Sequence, residues 1–318
     1  MPTFTDYTDI LPDPINKIGT AGNTDAAGNA GPGFAKVKFS SNNQVQVTRT
    51  ISGRGVTASP GYHMWEFSIN YNPMTRSEFE PVSTFLESRR GRLYPFYVVL
   101  PQHAAPQNST FATYCGSNTI TAGWKYATTS TSGTGTVATI GFATQPIAPF
   151  KVGDSITIAG VTPAGYNGTY TVTAATTSSV SFSSTATGAQ TVAGTVTLSV
   201  QPAGSTTLLI SGLSAVSGDP TPGDFLTITD NNDANHKKAY KVVRVETNST
   251  YKTGTTQPTT IQRRLHLVPP LTRATSTGSV VNFINPKFRV IQKGDTIEYD
   301  LDTDNLYQFS LNLEEILP

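Results

Sequence analysis

The chain has 318 residues, of which only 14% are charged, and its 22 basic and 21 acidic side chains leave a net charge of +1. This balance excludes a polyelectrolyte and a strongly basic nucleic-acid binder. Cys115 is the single cysteine, so the chain can form no internal disulfide and no multi-cysteine metal site. The N-terminus lacks the features of a secretory signal, and no apolar run is long enough to span a membrane. We therefore expect a protein made in the cytoplasm without a membrane segment.

The first hundred residues predict strands and one helix. Residues 34–39 and 44–51 alternate apolar and polar side chains around Ser40-Ser-Asn-Asn43, which predicts a hairpin that turns there. A second strand follows, because its apolar residues alternate and so share one face. Those residues are Trp65, Phe67, Ile69 and Tyr71.

The helix is predicted directly after this strand. Both Thr75 with Glu78 and Ser77 with Glu80 fit a capping box, and Gly91 fits a C-terminal stop. Pro81 is unfavourable inside a helix, so we expect the helix proper to begin there. The residues that would form its apolar face are Phe79, Val82, Phe85 and Leu86. A strand over 92–100 completes this region.

A shift of 70 residues aligns the middle of the chain with itself, which indicates an internal duplication. The shift pairs Thr136 with Thr206, Ile140 with Ile210, Gly153-Asp154 with Gly223-Asp224, Thr157-Ile158 with Thr227-Ile228, and Tyr170 with Tyr240. After an extra loop at 246–260, the pattern resumes with Leu265-His-Leu answering Val180-Ser-Phe. We expect two tandem β-modules, each a small five-stranded barrel or sandwich.

The C-terminal strands are predicted to complete the sheet of the N-terminal region, since residues 34–101 alone supply too few strands. The duplicated modules would then be insertions into a base domain. The predicted divisions are 1–126 (base domain, first part), 127–201 (module 1), 202–284 (module 2) and 285–318 (closing strands).

Residues with catalytic or metal-binding chemistry are few and scattered. His63, His103, His236 and His266 are not at metal-ligand spacing, and Cys115 is expected to be a small buried residue. The run from Asp300 to Asn305 imitates the start of a calcium loop, but Asn305 and Leu311 occupy the positions that need Gly and Glu. We therefore predict a turn there, and no catalytic residue, cofactor or metal; the protein is not expected to be an enzyme.

Three segments resemble the tail-tube-like proteins of tailed bacteriophages, which include distal tail, tube-initiating and baseplate-hub proteins. They are Trp65-Glu-Phe-Ser-Ile-Asn-Tyr71, the capped helix ending Phe85-Leu-Glu-Ser-Arg-Arg-Gly91, and Leu93-Tyr-Pro-Phe-Tyr-Val-Val-Leu-Pro101. Asn305-Leu-Tyr-Gln-Phe-Ser-Leu-Asn-Leu is similar to the closing strand of that domain, and 152–173 is similar to a β-module of phage structural proteins. The chain differs from a plain tube subunit in two respects: Pro81 interrupts the helix, and two modules are inserted.

The resemblance implies a mainly β protein: a tail-tube-like β-sandwich with one flanking helix, carrying the two inserted modules. It implies a virion protein that forms a ring, expected to be a hexamer, near the baseplate or distal end of the tail. Adjacent tube, baseplate or hub proteins would be its partners, and DNA would only pass through the lumen. The strands at 64–71 and 306–313 and the hairpin at 34–51 would form the sheet between subunits. The interface side chains expected on the two strands are Trp65, Phe67, Ile69, Phe309, Leu311 and Leu313.

An alternative function is recognition of host-surface glycans by the duplicated modules. Sugar sites commonly combine exposed aromatic rings with polar groups. The candidate rings are Tyr166, Tyr170, Tyr240 and Tyr251.

Overall fold

A computed structural model describes residues 9–13, 32–43, 45–58, 63–145 and 148–318. The chain forms two compact units, which we call the sheet unit (Met1–Leu100 with Lys287–Pro318) and the barrel unit (Pro101–Pro286). The mainly β fold with a flanking helix and small barrels, expected from the sequence, is confirmed. No helix within the described residues is long and apolar enough to cross a membrane.

The helices and strands have the following bounds. The strands are β1 (Phe34–Asn43), β2 (Gln46–Arg49), β3 (Gly55–Ala58), β4 (His63–Tyr71), β5 (Phe96–Val99), β6 (Thr121–Ala122), β7 (Lys125–Gly133), β8 (Val137–Phe142), β9 (Ser155–Ala159), β10 (Gly168–Ala175), β11 (Ser179–Ser183), β12 (Thr195–Leu198), β13 (Val200–Gln201), β14 (Thr207–Ser211), β15 (Phe225–Thr229), β16 (Ala239–Glu246), β17 (Gln262–Val268), β18 (Thr275–Ser276), β19 (Val280–Asn282), β20 (Lys287–Gln292), β21 (Tyr299–Leu301) and β22 (Tyr307–Glu315). The helices are α1 (Arg76–Ser88) and α2 (Ser109–Ser117).

The sheet unit contains one large antiparallel sheet and a separate two-stranded ribbon. The sheet has the order β1-β4-β22-β20-β5, with β21 added to β22, so the C-terminal strands lie between N-terminal ones. The ribbon consists of β2 and β3. The apolar side chains of β4 and β22 lie on one face, which is buried, while the intervening side chains point the other way.

The prediction that a hairpin turns at Ser40–Asn43 is wrong. These residues continue β1, in which Ser40 pairs with Glu66 and Asn43 with His63 of β4. The chain turns instead at residues 50–54, where Gly53 has φ +80° and its N–H bonds to the carbonyl of Thr50. Only glycine adopts that φ without strain, which favours the turn there.

Helix α1 begins at Arg76 and not at Pro81, which lies within it. Thr75 and Glu78 form the predicted capping box, in which the Glu78 carboxylate accepts a 2.9 Å hydrogen bond from the Thr75 N–H. This cap and the buried apolar face outweigh the hydrogen bond that Pro81 removes. The buried residues of that face are Phe79, Val82, Phe85 and Leu86, as predicted.

The barrel unit holds two closed six-stranded barrels with the same strand order. Barrel 1 runs β10-β11-β8-β7-β12-β9, and barrel 2 runs β16-β17-β14-β6-β19-β15 around the same circuit. Each has one strand more than the five predicted, because β7 and β6 precede the repeated segments. Phe111 of α2 packs into the core of barrel 2. The sequence analysis did not anticipate this second helix.

The two barrels are nested along the chain. Strand β6, which closes barrel 2, comes before the whole of barrel 1, and the rest of barrel 2 follows it. The first segment of the sheet unit accordingly ends at Leu100, whereas the sequence placed the end of the first base segment at residue 126. The difference arises because α2 and β6 belong to barrel 2.

The duplication extends to individual hydrogen bonds. In barrel 1 the Gly153 N–H bonds to the carbonyl of Val172 at 2.9 Å, and in barrel 2 the Gly223 N–H bonds to that of Val242 at 2.7 Å. Strands β10 and β16 also change register directly after these valines. Seventy residues separate the members of each pair, so the repeat found in the sequence is a repeat of structure.

We expect the two equivalent aspartates of the repeat to contribute unequally to stability. Asp154 accepts one backbone hydrogen bond, from Lys151, whereas Asp224 accepts two, from Thr221 and Gln107. Asp154→Ala should therefore lower the free energy of unfolding by about 1 kcal/mol and Asp224→Ala by about 2 kcal/mol. Urea unfolding of the two variants measures this difference, and equal losses would contradict it.

Candidate assembly surfaces

The six residues expected to form a subunit interface lie inside the sheet unit instead. Phe67 is 2% exposed and Leu313 is fully buried, and the two are paired across β4 and β22. The remaining members are also buried: Trp65, Ile69, Phe309 and Leu311. Both strands have neighbours on both sides, so neither offers a free edge. This corrects the expectation, because these side chains form the core of the unit that carries them.

The two edges of the large sheet differ. At one edge, β5 is covered by the chain's own residues 9–11: the Leu11 N–H bonds to the carbonyl of Tyr97 at 2.8 Å, and the Tyr97 N–H bonds to that of Asp9 at 2.6 Å. An ion pair between Arg89 and Asp9, 2.9 Å long, secures this segment. At the other edge, no strand within the described residues pairs with the outer side of β1. An unpaired edge is a template for a further strand.

The ribbon of β2 and β3 is the most exposed apolar feature of the sheet unit. Every described side chain from Val45 to Thr57 is exposed, and Val47 reaches 63%. The other large apolar residues in it are Val45, Ile51 and Val56. Arg49 and Arg54 are its charged residues, and it contains no acid. Val56 pairs with Thr48, so it lies on the face opposite to Val47, and aliphatic side chains are exposed on both faces of the ribbon. Exposed aliphatic side chains of this kind are typical of a contact surface.

A second exposed surface, which we call the acidic turn, spans residues 294–305. It contains five acidic residues and no basic one: Asp295, Glu298, Asp300, Asp302 and Asp304. Asp302 shapes the turn, because its carboxylate accepts 2.9 Å hydrogen bonds from the N–H groups of Asp304 and Leu306. The described residues hold no cluster that could bind a metal ion. Tyr299 and Leu301 are about half exposed, at 50% and 51%.

The four histidines occupy four separate environments. His63 bonds to the hydroxyl of Ser41 at 2.9 Å, and His266 bonds to the carboxylate of Glu246 at 2.9 Å. Burial, with Lys241 nearby, lowers the pKa of His103. Burial also lowers the pKa of His236, whose Nε2 lies 2.8 Å from the Tyr240 hydroxyl. The ring of His103 lies 4.7 Å from that of Phe225, so each histidine has a local structural contact.

Cys115 is half-buried against the core of barrel 2. Burial, together with the nearby Asp224 carboxylate, raises the pKa of its thiol to about 12. A thiol with this pKa remains protonated at neutral pH and is a poor nucleophile.

Glu246 is the most heavily paired carboxylate of barrel 2. Its side chain is 1% exposed and accepts a 2.6 Å hydrogen bond from Arg264, while Arg244 lies 3.6 Å away. Burial by itself would raise the pKa of Glu246, but the hydrogen bonds from His266 and Arg264 outweigh it and hold the pKa below its usual value. Arg264 also bonds to Thr255, so the pair fixes the loop between β16 and β17.

The tyrosines proposed for glycan binding are mostly structural. Tyr166 and Tyr240 are fully buried, and Tyr170 stacks on Phe182 at 4.3 Å. A cleft of about 470 Å³ in the barrel unit is lined mainly by hydroxyl groups, among them Thr157 and Ser276, and no aromatic ring lines it. Glycan binding therefore stays a prediction, and this cleft offers a sugar no aromatic ring.

Comparison with known proteins does not assign the chain to a family. No protein-family model matches the chain, and no curated protein is significantly similar to it.

Proposed function

We propose that the protein is a structural subunit that assembles with copies of itself into a ring of a phage tail. The ring would lie near the baseplate or distal end, continue or nucleate the tube, and hold peripheral tail proteins. It acts without catalysis or cofactor. The exposed aliphatic ribbon carries this proposal, because such a ribbon would be unfavourable in water unless a partner covers it.

Two further features support the proposal. The outer edge of β1 can accept another strand, as in the edge-to-edge sheets of the tail-tube-like proteins that segments of this chain resemble. The polar surface of barrel 1, built from Ser and Thr side chains, suits peripheral docking. The expectation of sixfold symmetry rests only on the resemblance to tail-tube-like proteins.

Mass photometry over a concentration series, with negative-stain images of the same samples, tests the proposal. We expect annular oligomers of uniform size for the full chain. A variant with a polar ribbon, Val47→Ser/Ile51→Ser/Val56→Ser, should assemble at least about tenfold less tightly, because the buried apolar area is lost.

The matched control places the same change on the barrel unit, as Val152→Ser/Val216→Ser/Val243→Ser, where the valines are also well exposed. This variant should assemble like the original chain. A full-length protein that stays monomeric at every concentration, in low and high salt, would refute self-assembly.

A further inference from the structure

The ribbon and the acidic turn lie at opposite ends of the large sheet. Along the chain the ribbon lies between β1 and β4, so it adjoins the end of the sheet at which Asn43, the last residue of β1, pairs with His63, the first residue of β4. The part of the acidic turn from β21 onward lies at the other end, where Met74 bridges to Tyr307 and β21 pairs with the start of β22. The nine residues of β4 separate this part from the ribbon by roughly 27 Å. One chain therefore cannot bring its own ribbon to its own acidic turn without unfolding the sheet.

The two surfaces are complementary in charge. Arg49 and Arg54 are exposed on a ribbon without acids, and Asp300 and Asp304 are exposed on a turn without bases. Among the described residues, none of these four side chains forms an ion pair within the chain. Their charges are therefore available to another molecule.

The two surfaces also match in apolar character. Val47, Ile51 and Val56 are exposed among the charges of the ribbon, and Tyr299 and Leu301 are exposed among those of the turn. Apolar side chains surrounded by complementary charges are the usual composition of a protein interface.

We propose that the ribbon of one copy binds the acidic turn of the next copy. The contact joins two different surfaces, so it is head-to-tail and gives the assembly a direction. Such contacts close into a ring when the rotation between copies permits and otherwise continue as a stack. The inference rests on the proposed self-assembly and identifies its interface.

Charge reversal tests the pairing with the full-length chain. Arg49→Glu/Arg54→Glu reverses the ribbon, and Asp300→Lys/Asp304→Lys reverses the turn. Each variant alone should self-associate at least about tenfold more weakly in low salt, because the reversed side chains then face charges of their own sign. An equimolar mixture of the two should recover assembly, since each reversed surface then finds its complement on the other variant.

Lys237→Glu/Lys252→Glu is the matched control, because it reverses two exposed lysines of the barrel unit. It should assemble as the original chain does, and thermal melts should show that all variants fold. Assembly by each reversed variant alone at the original strength would overturn the interface and leave self-assembly standing. Failure of the mixture to recover would also overturn the interface. A monomeric original chain would overturn both the interface and the proposed function.

Discussion

Phe67→Ala should lower the free energy of unfolding of the sheet unit by about 4 kcal/mol. The ring of Phe67 is 2% exposed and lies 5.2 Å from that of Phe39 and 5.1 Å from that of Phe288. Truncation leaves a cavity between three strands that cannot close around it. Urea unfolding followed by tryptophan fluorescence measures the loss, since Trp65 lies two residues away on the same face.

The same variant separates a core residue from an interface residue. If Phe67 met a neighbouring subunit, Phe67→Ala would weaken self-association and leave the unfolding of the monomer nearly unchanged. Ser68→Ala is the matched control, because Ser68 is the next residue of β4 and points to the opposite face. Its effect should stay within about 0.5 kcal/mol. An unfolding curve of Phe67→Ala that coincides with that of the original chain would contradict the buried position.

Glu246→Gln should destabilise the barrel unit by about 3 kcal/mol, because it leaves the charge of the mostly buried Arg264 without its partner. The pKa of Glu246 in the folded protein is below its usual value of 4.5. Its stabilising contribution is therefore complete well above pH 4.5 and is lost as the pH falls through the lowered folded-state pKa. The variant lacks a titrating group, so this part of the acid sensitivity should disappear.

Thermal unfolding between pH 3 and pH 7 measures both effects. Glu80→Gln serves as the control, since Glu80 forms an exposed pair with Arg76 one helical turn away. We expect its melting curve to follow that of the original chain across the series. A Glu246→Gln variant that keeps the original acid dependence would show that other carboxylates cause it.

The sequence predicted the type of several elements, and its failures have physical causes. Alternation in Trp65–Tyr71 predicted the strand and its apolar face correctly. Alternation does not distinguish a face covered by the protein's own core from one covered by a neighbouring subunit, so Phe67 and Leu313 were assigned to the wrong surface. A strand over 44–51 was predicted, but its partner was not: the alternation of Val45 and Val47 suggested a hairpin with 34–39 and did not show that both side chains are exposed.

The repeat predicted two β-modules, each a barrel or a sandwich, because its glycine and aspartate positions have fixed geometric roles. The sixth strand of each barrel was missed, since β6 has two residues and β7 carries the polar sequence Thr-Thr-Ser-Thr-Ser at its centre. Helix α2 was missed because Phe111 is its one buried residue, although Asn108 caps it with hydrogen bonds to Thr110 and Phe111. Short elements depend on tertiary contacts that local patterns do not contain.

The nesting of the barrels sets an order for their synthesis. Of the twelve barrel strands, β6 leaves the ribosome first. Its neighbours β14 and β19 follow only after every strand of barrel 1 has been made. Barrel 1 can therefore close while barrel 2 is still open. Once closed, it shortens the free chain between β6 and β14 and so reduces the entropy cost of closing barrel 2. Substitutions that prevent barrel 1 from closing should therefore slow the folding of barrel 2. Substitutions confined to β15 or β16 should leave the folding of barrel 1 unchanged, because barrel 1 can close before these strands are made.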